Sequence, residues 1–437
     1  MLTGRSRIFG LTAVGLTIVA LALGLSACVP KSEKSSGKLA VLIGRAVLPA
    51  DTFLPGSPPV GIAMDPEING RQLPFGDMPV QGISSLIPRD GGRYVALQDN
   101  GFGSMANSPD YPLGWFHLHL DLDDPPTEGG PVEVSEFVYW SDPARIIPFA
   151  ITLGDSVSRP LTGADFDPES FVRMNDGSFW VGEEFGPSML HVGPDGVILE
   201  KPLPIPVVPP LRPFSRGSPV LRTPDHPDLR FLRNEKMRLD LANLPRSGGI
   251  EGLARNASGD KIYAAVEKPM SDDSERTRRV ILEFDPARHG FSGAFWLYRA
   301  DRQDISLASL EAVTDQVFLV LERDPGEGLT AEIKRIYRID LEDLDQDGNL
   351  NKTLVCDLMD IRDSQDLTRS ENGAVGLGED YSFPYVTPES LAVIDDRTLL
   401  VANDNNFPLS TGRRPPDTPD DSEFILLRLS RSLIDGD

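Results

Sequence analysis

Carboxylates recur in this 437-residue chain at one fixed place in a repeated pattern. Five stretches share the pattern: "GISSLIPRDGGRYVALQDN" from Gly82, "PESFVRMNDGSFWVGEE" from Pro168, "GIEGLARNASGDKIYAAVEK" from Gly249, "ISLASLEAVTDQVFLVLER" from Ile305 and "PESLAVIDDRTLLVANDN" from Pro388. Each opens on a small or acidic residue, crosses an apolar run and a polar turn, and ends in an acid or amide. Ser84 and Asp99 stand 15 apart, Glu169 and Glu184 15, Glu251 and Glu267 16, Ser306 and Glu322 16, Glu389 and Asp404 15. One acid at a strand end is ordinarily a solvated residue. Acids returning at the same station in nearly every unit are candidate metal ligands instead: Asp99, Glu169, Glu183, Glu251, Glu267, Glu322, Glu389 and Asp404. An oxygen-only donor set selects calcium. Glu184, side by side with Glu183, is the candidate to orient a water, because two adjacent like charges need different tasks.

Basic residues flank these acids. Arg246 precedes "SGGIEG", Lys268 follows Glu267 and Arg323 follows Glu322. An Arg fork or a Lys point charge beside a metal can hold phosphate oxygens. A further acidic stretch, "DLDQDGNL", sets Asp343, Asp345 and Asp347 at positions 1, 3 and 5 of a calcium loop with Gly348 at 6, although Leu354 stands where the bidentate Glu belongs. His117 and His119 share a strand face and read as solvated. No G-x-S-x-G elbow supports a serine hydrolase.

The elements that must position these acids are hairpins. Gly91, Asp176, Gly259, Thr314 and Asp396 fall at the midpoints of the five stretches, so the first and last residues of each meet at its open end. The flanking runs are rich in Val, Leu, Tyr, Phe and Trp, as half-buried strands are. Further strand-like runs lie between units ("GWFHLHLDL", "RVILEFDP", "KRIYRIDL"), and 40 glycines and 39 prolines supply turns throughout. This predicts an all-β chain forming a single β-propeller. Five repeat units are counted, for five or six blades, with "KLAVLIGRAVL" and "FILLRLS" completing one blade together. In a propeller the open ends converge on one channel mouth, which would collect the acids.

The beginning of the chain carries a different signal. Arg5 and Arg7, the apolar run "IFGLTAVGLTIVALALG" and "LSAC" ending at Cys28 have the charge, length and small residues of an export signal. They resemble a bacterial lipoprotein signal, in which Cys28 becomes the lipidated first residue. The expected organisation is a signal over 1–27, a lipidated Cys and tether over 28–38 containing "KSEKSSGK", and the propeller over 39–437. Loss of Arg5 and Arg7 would take the formal charge from -24 to -26. Acylation of Cys28 would leave Cys356 without an intrachain partner. Such an acidic surface repels nucleic acid and anionic lipid, which excludes both as partners beyond the lipid anchor itself. The expected location is the cell envelope, outside the cytoplasm, and the expected state is a monomer.

The chain resembles the "esterase-like activity of phytase" family, a phytase-like β-propeller group of secreted and envelope proteins. The resemblance covers about residues 45–430 and is carried by "GRAVLPADTF", "DPESFVRMNDGSFWVGEEFGPSMLHVGPDG", "GGIEGLA", "VFLVLERD" and "NDNNFP…DDSEFILLRL". It implies six blades, calcium near the axis and hydrolysis of a small-molecule phosphate ester. A metal-dependent lactonase and a non-catalytic calcium-binding envelope protein are the alternatives, since fold alone does not determine activity.

Overall fold

The computed structural model describes residues 37–122, 130–370 and 372–435. Cys28, the signal over 1–27 and most of the tether lie outside the described residues. Four sheets are four-stranded antiparallel blades met in chain order. Blade one is Ile83–Arg89, Arg93–Gln98, Gly114–Leu120 and Val132–Tyr139. Blade two is Pro168–Arg173, Phe179–Glu183, Ser188–Val192 and the short Leu203–Pro204. Blade three is Ile250–Arg255, Ile262–Val266, Arg278–Asp285 and Gly290–Arg299. Blade four is Ser306–Ala312, Val317–Arg323, Lys334–Leu344 and Leu350–Asp357. In blade five, Thr387–Asp395, Thr398–Asp404 and Ser422–Leu429 are joined by Ala40–Leu48, antiparallel to Ser422–Leu429, with two short outer strands beyond it.

The first strand of each blade packs on the first strand of the next, and that of blade five packs on that of blade one, so the ring closes. It closes at five blades. The six implied by the family resemblance are not built, because the two spare runs at the ends of the sequence enter blade five together rather than founding another. Five hydrophobic clusters fill the five seams. Phe116 and Leu400 belong to the seam between blades five and one, Trp115 and Phe179 to the next, and Trp180 and Ala264 to the one after. Tyr263 with Phe318, and Leu319 with Leu399, mark the remaining two. Burying each large apolar side chain contributes about 1.5–3 kcal/mol.

Turn chemistry sets the hairpins. In "NDGS" of blade two, Gly177 takes φ +92, which an L side chain resists, and Asp176 Oδ1 accepts from the Ser178 amide at 3.0 Å. One short α-helix, Glu235–Leu241, lies between blades two and three. Among the described residues no helix is long and apolar enough to cross a membrane.

Candidate functional site at the axial mouth

A backbone irregularity recurs at the open end of every blade. The ladder between the first two strands slips between Ile83 and Ser85, Pro168 and Ser170, Ile250 and Gly252, Leu307 and Ser309, and Pro388 and Ser390. The bulged residues are therefore Ser84, Glu169, Glu251, Ala308 and Glu389. A bulge leaves its residue out of the ladder and re-aims the side chain. On the second strand, Gln98, Glu183, Val266, Glu322 and Asn403 pair with the residue just before the bulge. Side chains alternate, so the next residues, Asp99, Glu184, Glu267, Arg323 and Asp404, turn the other way, into the axial cup.

This alternation separates the two adjacent glutamates. Glu184 lines the cup and accepts from the Gly249 amide at 3.0 Å. Glu183 faces away and braces the following turn, accepting from the amides of Phe185 (2.9 Å) and Gly186 (2.8 Å) and from Ser188 Oγ (2.7 Å). Blade four has the same frame. Glu322 faces away, accepting from Tyr298 Oη at 2.6 Å and pairing with Lys352, while Arg323 takes the cup position. Equivalent bulge and cup residues are again 15 apart, Ala308 to Arg323, whereas the sequence pairing of Ser306 with Glu322 is displaced from that frame.

The cup holds about 160 Å³, room for several waters. Eight carboxylates line it: Asp99, Asp167, Glu169, Glu184, Glu251, Glu267, Glu389 and Asp404. Two cations share it, Lys268 and Arg323. Arg323 Nη2 lies 3.1 Å from Glu251, 3.2 Å from Glu389 and 3.4 Å from Glu267. Lys268 Nζ is 3.0 Å from Glu267 and also donates to the Ser247 carbonyl. Burial opposes charge on both cations, but the surrounding carboxylates outweigh it and hold both above their ordinary range.

Two cations cannot balance eight carboxylates. Burial pushes Asp99 up to about 6 and Glu251 to about 7. Asp167, Glu169, Glu184, Glu389 and Asp404 lie well above the carboxylate range, through burial first and the neighbouring carboxylates second. The cup must therefore take up protons or metal ions.

Its geometry suits metal ions. Ligand oxygens of Asp167, Glu169 and Glu184 lie within 4.8 Å of one another, as do those of Glu169, Glu251 and Glu389, and those of Glu184, Glu251 and Glu267. Calcium–oxygen distances of about 2.3–2.6 Å place opposed ligands of one ion about that far apart. The three groups overlap, with Glu169, Glu184 and Glu251 each belonging to two.

Sequence reasoning missed Asp167, whose only signal is its place two residues before Glu169 in "DPES"; it accepts from the Asn100 amide at 3.3 Å. Thr387 and Asn406 also reach the cup, joined by a 2.6 Å hydrogen bond. Arg246 does not reach it, being held by Asp225 and Glu235. Asp343, Asp345 and Asp347 lie in or beside the turn between Lys334–Leu344 and Leu350–Asp357, away from the mouth. There Asp345 Oδ1 accepts from the amides of Asp347 (2.9 Å) and Asn349 (2.8 Å), and Asp343 accepts from Asn351. Among the described residues these three form no group of mutually close metal-ligand atoms.

A family model described as "Phytase-like: Esterase-like activity of phytase" matches residues 78–407. An "Uncharacterized secreted protein" of Arthroderma benhamiae is 26% identical over 200 residues, 39% of this chain. The match spans 37% of that relative's length, little more than a third. Among solved structures, the calcium-binding protein regucalcin of Agrobacterium tumefaciens is similar over 90% of this chain and 98% of its own, at 12% identity and a TM-score of 0.34. The PQQ-bound aldose sugar dehydrogenase of Streptomyces coelicolor is similar over 90% of this chain and 96% of its own, at 15% identity and a TM-score of 0.32. The five-blade ring itself rests on the strand pairing of this chain.

Proposed function

Because the chain belongs to the phytase-like family defined by that model, we propose that it is an exported, lipid-anchored, calcium-dependent phosphoesterase working at the acidic mouth of its propeller. The observation that carries the reading is the presence of Lys268 and Arg323 inside a cup of eight carboxylates. Carboxylates alone would bind cations and repel phosphate. Buried cations among them give an anionic substrate its own ligands.

Bound in the cup, calcium would supply charge neutralisation and Lewis acidity toward phosphoryl oxygens and water. Glu169, Glu184, Glu251, Glu267, Glu389, Asp404, Asp99 and Asp167 are the oxygen ligands available to hold it. Lys268 and Arg323 would stabilise the negative charge that gathers on the phosphoryl oxygens. Glu184, fixed through one oxygen by the Gly249 amide, has the other to orient a water or accept its proton. In this reading a phosphoryl group enters the cup and the rest of the substrate lies outside the mouth.

The purified chain assayed on phosphate monoesters and lactones, with calcium and with excess chelator, tests this. Phosphate release that requires calcium is expected. Metal-dependent turnover of lactones without phosphate release would replace the reading with a lactonase, and no turnover of either class would leave a calcium-binding envelope protein. Export draws support from the secreted relative. Anchoring is checked by labelling with a palmitate analogue, which should tag the wild type and not Cys28→Ala; an untagged wild type removes the lipid anchor.

A further inference from the structure

A second cluster of metal-ligand side chains stands at the other end of blades two and three. His191 is on the third strand of blade two, Glu200 lies between its third and fourth strands, and His289 occupies the turn between the third and fourth strands of blade three. Ser178, beside His191, lies just past the turn joining the first two strands of blade two, opposite the open end that carries Glu184. The cluster is thus separate from the axial cup. Both histidines aim Nδ1 at one oxygen, Glu200 Oε1, at 2.6 Å from His191 and 2.8 Å from His289. The ligand atoms of all three lie within 4.8 Å of one another.

The hydrogen bonds around His191 determine which of its nitrogens carries hydrogen. Ser178 Oγ donates its single proton to Asp176 Oδ1 at 2.7 Å. Its contact with His191 Nε2 at 3.0 Å must then run from the ring, so Nε2 bears the hydrogen. A neutral His191 consequently turns the Nδ1 lone pair toward the Glu200 carboxylate. That approach is repulsive unless it is relieved by a proton on the ring or by a metal ion bound beside the pair. A hydroxyl accepting from the far nitrogen is also the outer support that metal-bound histidines use to hold tautomer and orientation. Trp180 stacks on His191 with centroids 4.3 Å apart and 6° between planes, and meets His289 edge-on at 5.8 Å, holding both rings.

We propose that His191, Glu200 and His289 form a binding site for a borderline transition-series divalent cation, zinc being the probe of choice, that staples blade two to blade three. Two imidazoles and a carboxylate suit zinc and disfavour calcium, which takes oxygen ligands. Three protein ligands leave a fourth position for water, consistent with the half-exposed His289.

The test is calorimetric titration of the full chain with zinc in millimolar calcium, so that hard-cation sites are already occupied, with cobalt(II) absorption as an independent reading of coordination. One zinc per chain is expected. His191→Ala and His289→Gly, the latter suited to the φ of +50 at that position, should each weaken zinc binding at least about tenfold, and Ser178→Ala about tenfold through ligand orientation. Glu251→Gln, in the axial cup, should leave zinc affinity and the cobalt spectrum unchanged. Zinc uptake that survives both histidine variants overturns the site. So does a wild type that takes no zinc, which would leave an imidazolium paired with Glu200.

Discussion

Glu251→Gln is expected to remove calcium binding and calcium-dependent hydrolysis together, lowering turnover by about 10²–10³-fold, the scale of deleting one electrostatic element of a reaction centre. Glu251 belongs to two of the three overlapping carboxylate groups, sits on a strand bulge and lies 3.1 Å from Arg323. Glutamine keeps the shape and loses the charge, so the metal loses a ligand while the seam packing stays. Removing one like charge from a crowded cup should also leave the chelated protein at least as stable as the wild type, because Arg323 retains Glu267 and Glu389. Glu322→Gln should do the reverse. Its carboxylate faces away from the cup and holds Lys352 and Tyr298; Lys352 keeps Asp301, so the variant should lose about 1–3 kcal/mol, the scale of an imperfectly satisfied buried polar group, and keep calcium-dependent activity. Calcium titration, kinetics and chemical denaturation of both variants decide it. Full calcium-dependent activity in both Glu251→Gln and Glu184→Gln would exclude the cup as the reaction site.

That contrast between Glu251 and Glu322 also shows what the sequence could and could not reveal. The five hairpins and the closing pair of terminal strands were legible, because apolar runs and turn residues report on burial and chain reversal. Asp99, Glu169, Glu184, Glu251, Glu267, Glu389 and Asp404 were legible as one group, because equal spacing from a common turn brings hairpin ends together. The frame of blade four was not. Which residue faces the axis is decided by a bulge whose occupants are Ser84, Glu169, Glu251, Ala308 and Glu389, a set with no shared chemistry, and a slip of one residue exchanges the faces of a strand. Spacing alone therefore puts Glu322 at the mouth and Arg323 beside it, when the reverse holds. Arg246 adjoins "SGGIEG" in sequence, but Asp225 and Glu235, from the segment between blades two and three, hold it elsewhere. Spacing within a hairpin carries no information about such long-range partners. Asp345 matches a ligand pattern because the residues that satisfy a tight acidic turn are those that fill a calcium loop; here the amides of Asp347 and Asn349 donate to its carboxylate.

With excess chelator, stability should fall as pH rises from 5 to 8, and calcium should restore more of it at pH 8 than at pH 5. Carboxyls of the unfolded chain titrate near 4. In the folded chain Asp99 is pushed up to about 6 and Glu251 to about 7, chiefly by burial. Between those values the folded form holds protons that the unfolded form has released, so each group stabilises fully below its unfolded pKa, and that stability is lost as pH passes through the folded one. For Glu251 alone the loss is about 3 kcal/mol, at about 1.4 kcal/mol per pH unit. Glu183, pushed to about 7 by burial, and Glu311, pushed to about 8, add to the same fall from outside the cup. Calcium separates the contributions. Binding ionises its ligands and releases their protons, so it abolishes the part of the slope that belongs to the cup and leaves the part from buried acids outside it, Glu183, Glu311 and Asp420 among them. An ion present at 100 times its dissociation constant adds about 2.7 kcal/mol per independent site, and that constant tightens as protons leave the ligands. Denaturant titrations at pH 5, 6, 7 and 8, each with calcium and with chelator, give both slopes. Parallel profiles with and without calcium would mean that the cup balances its charge with protons alone, and the metal centre would be wrong.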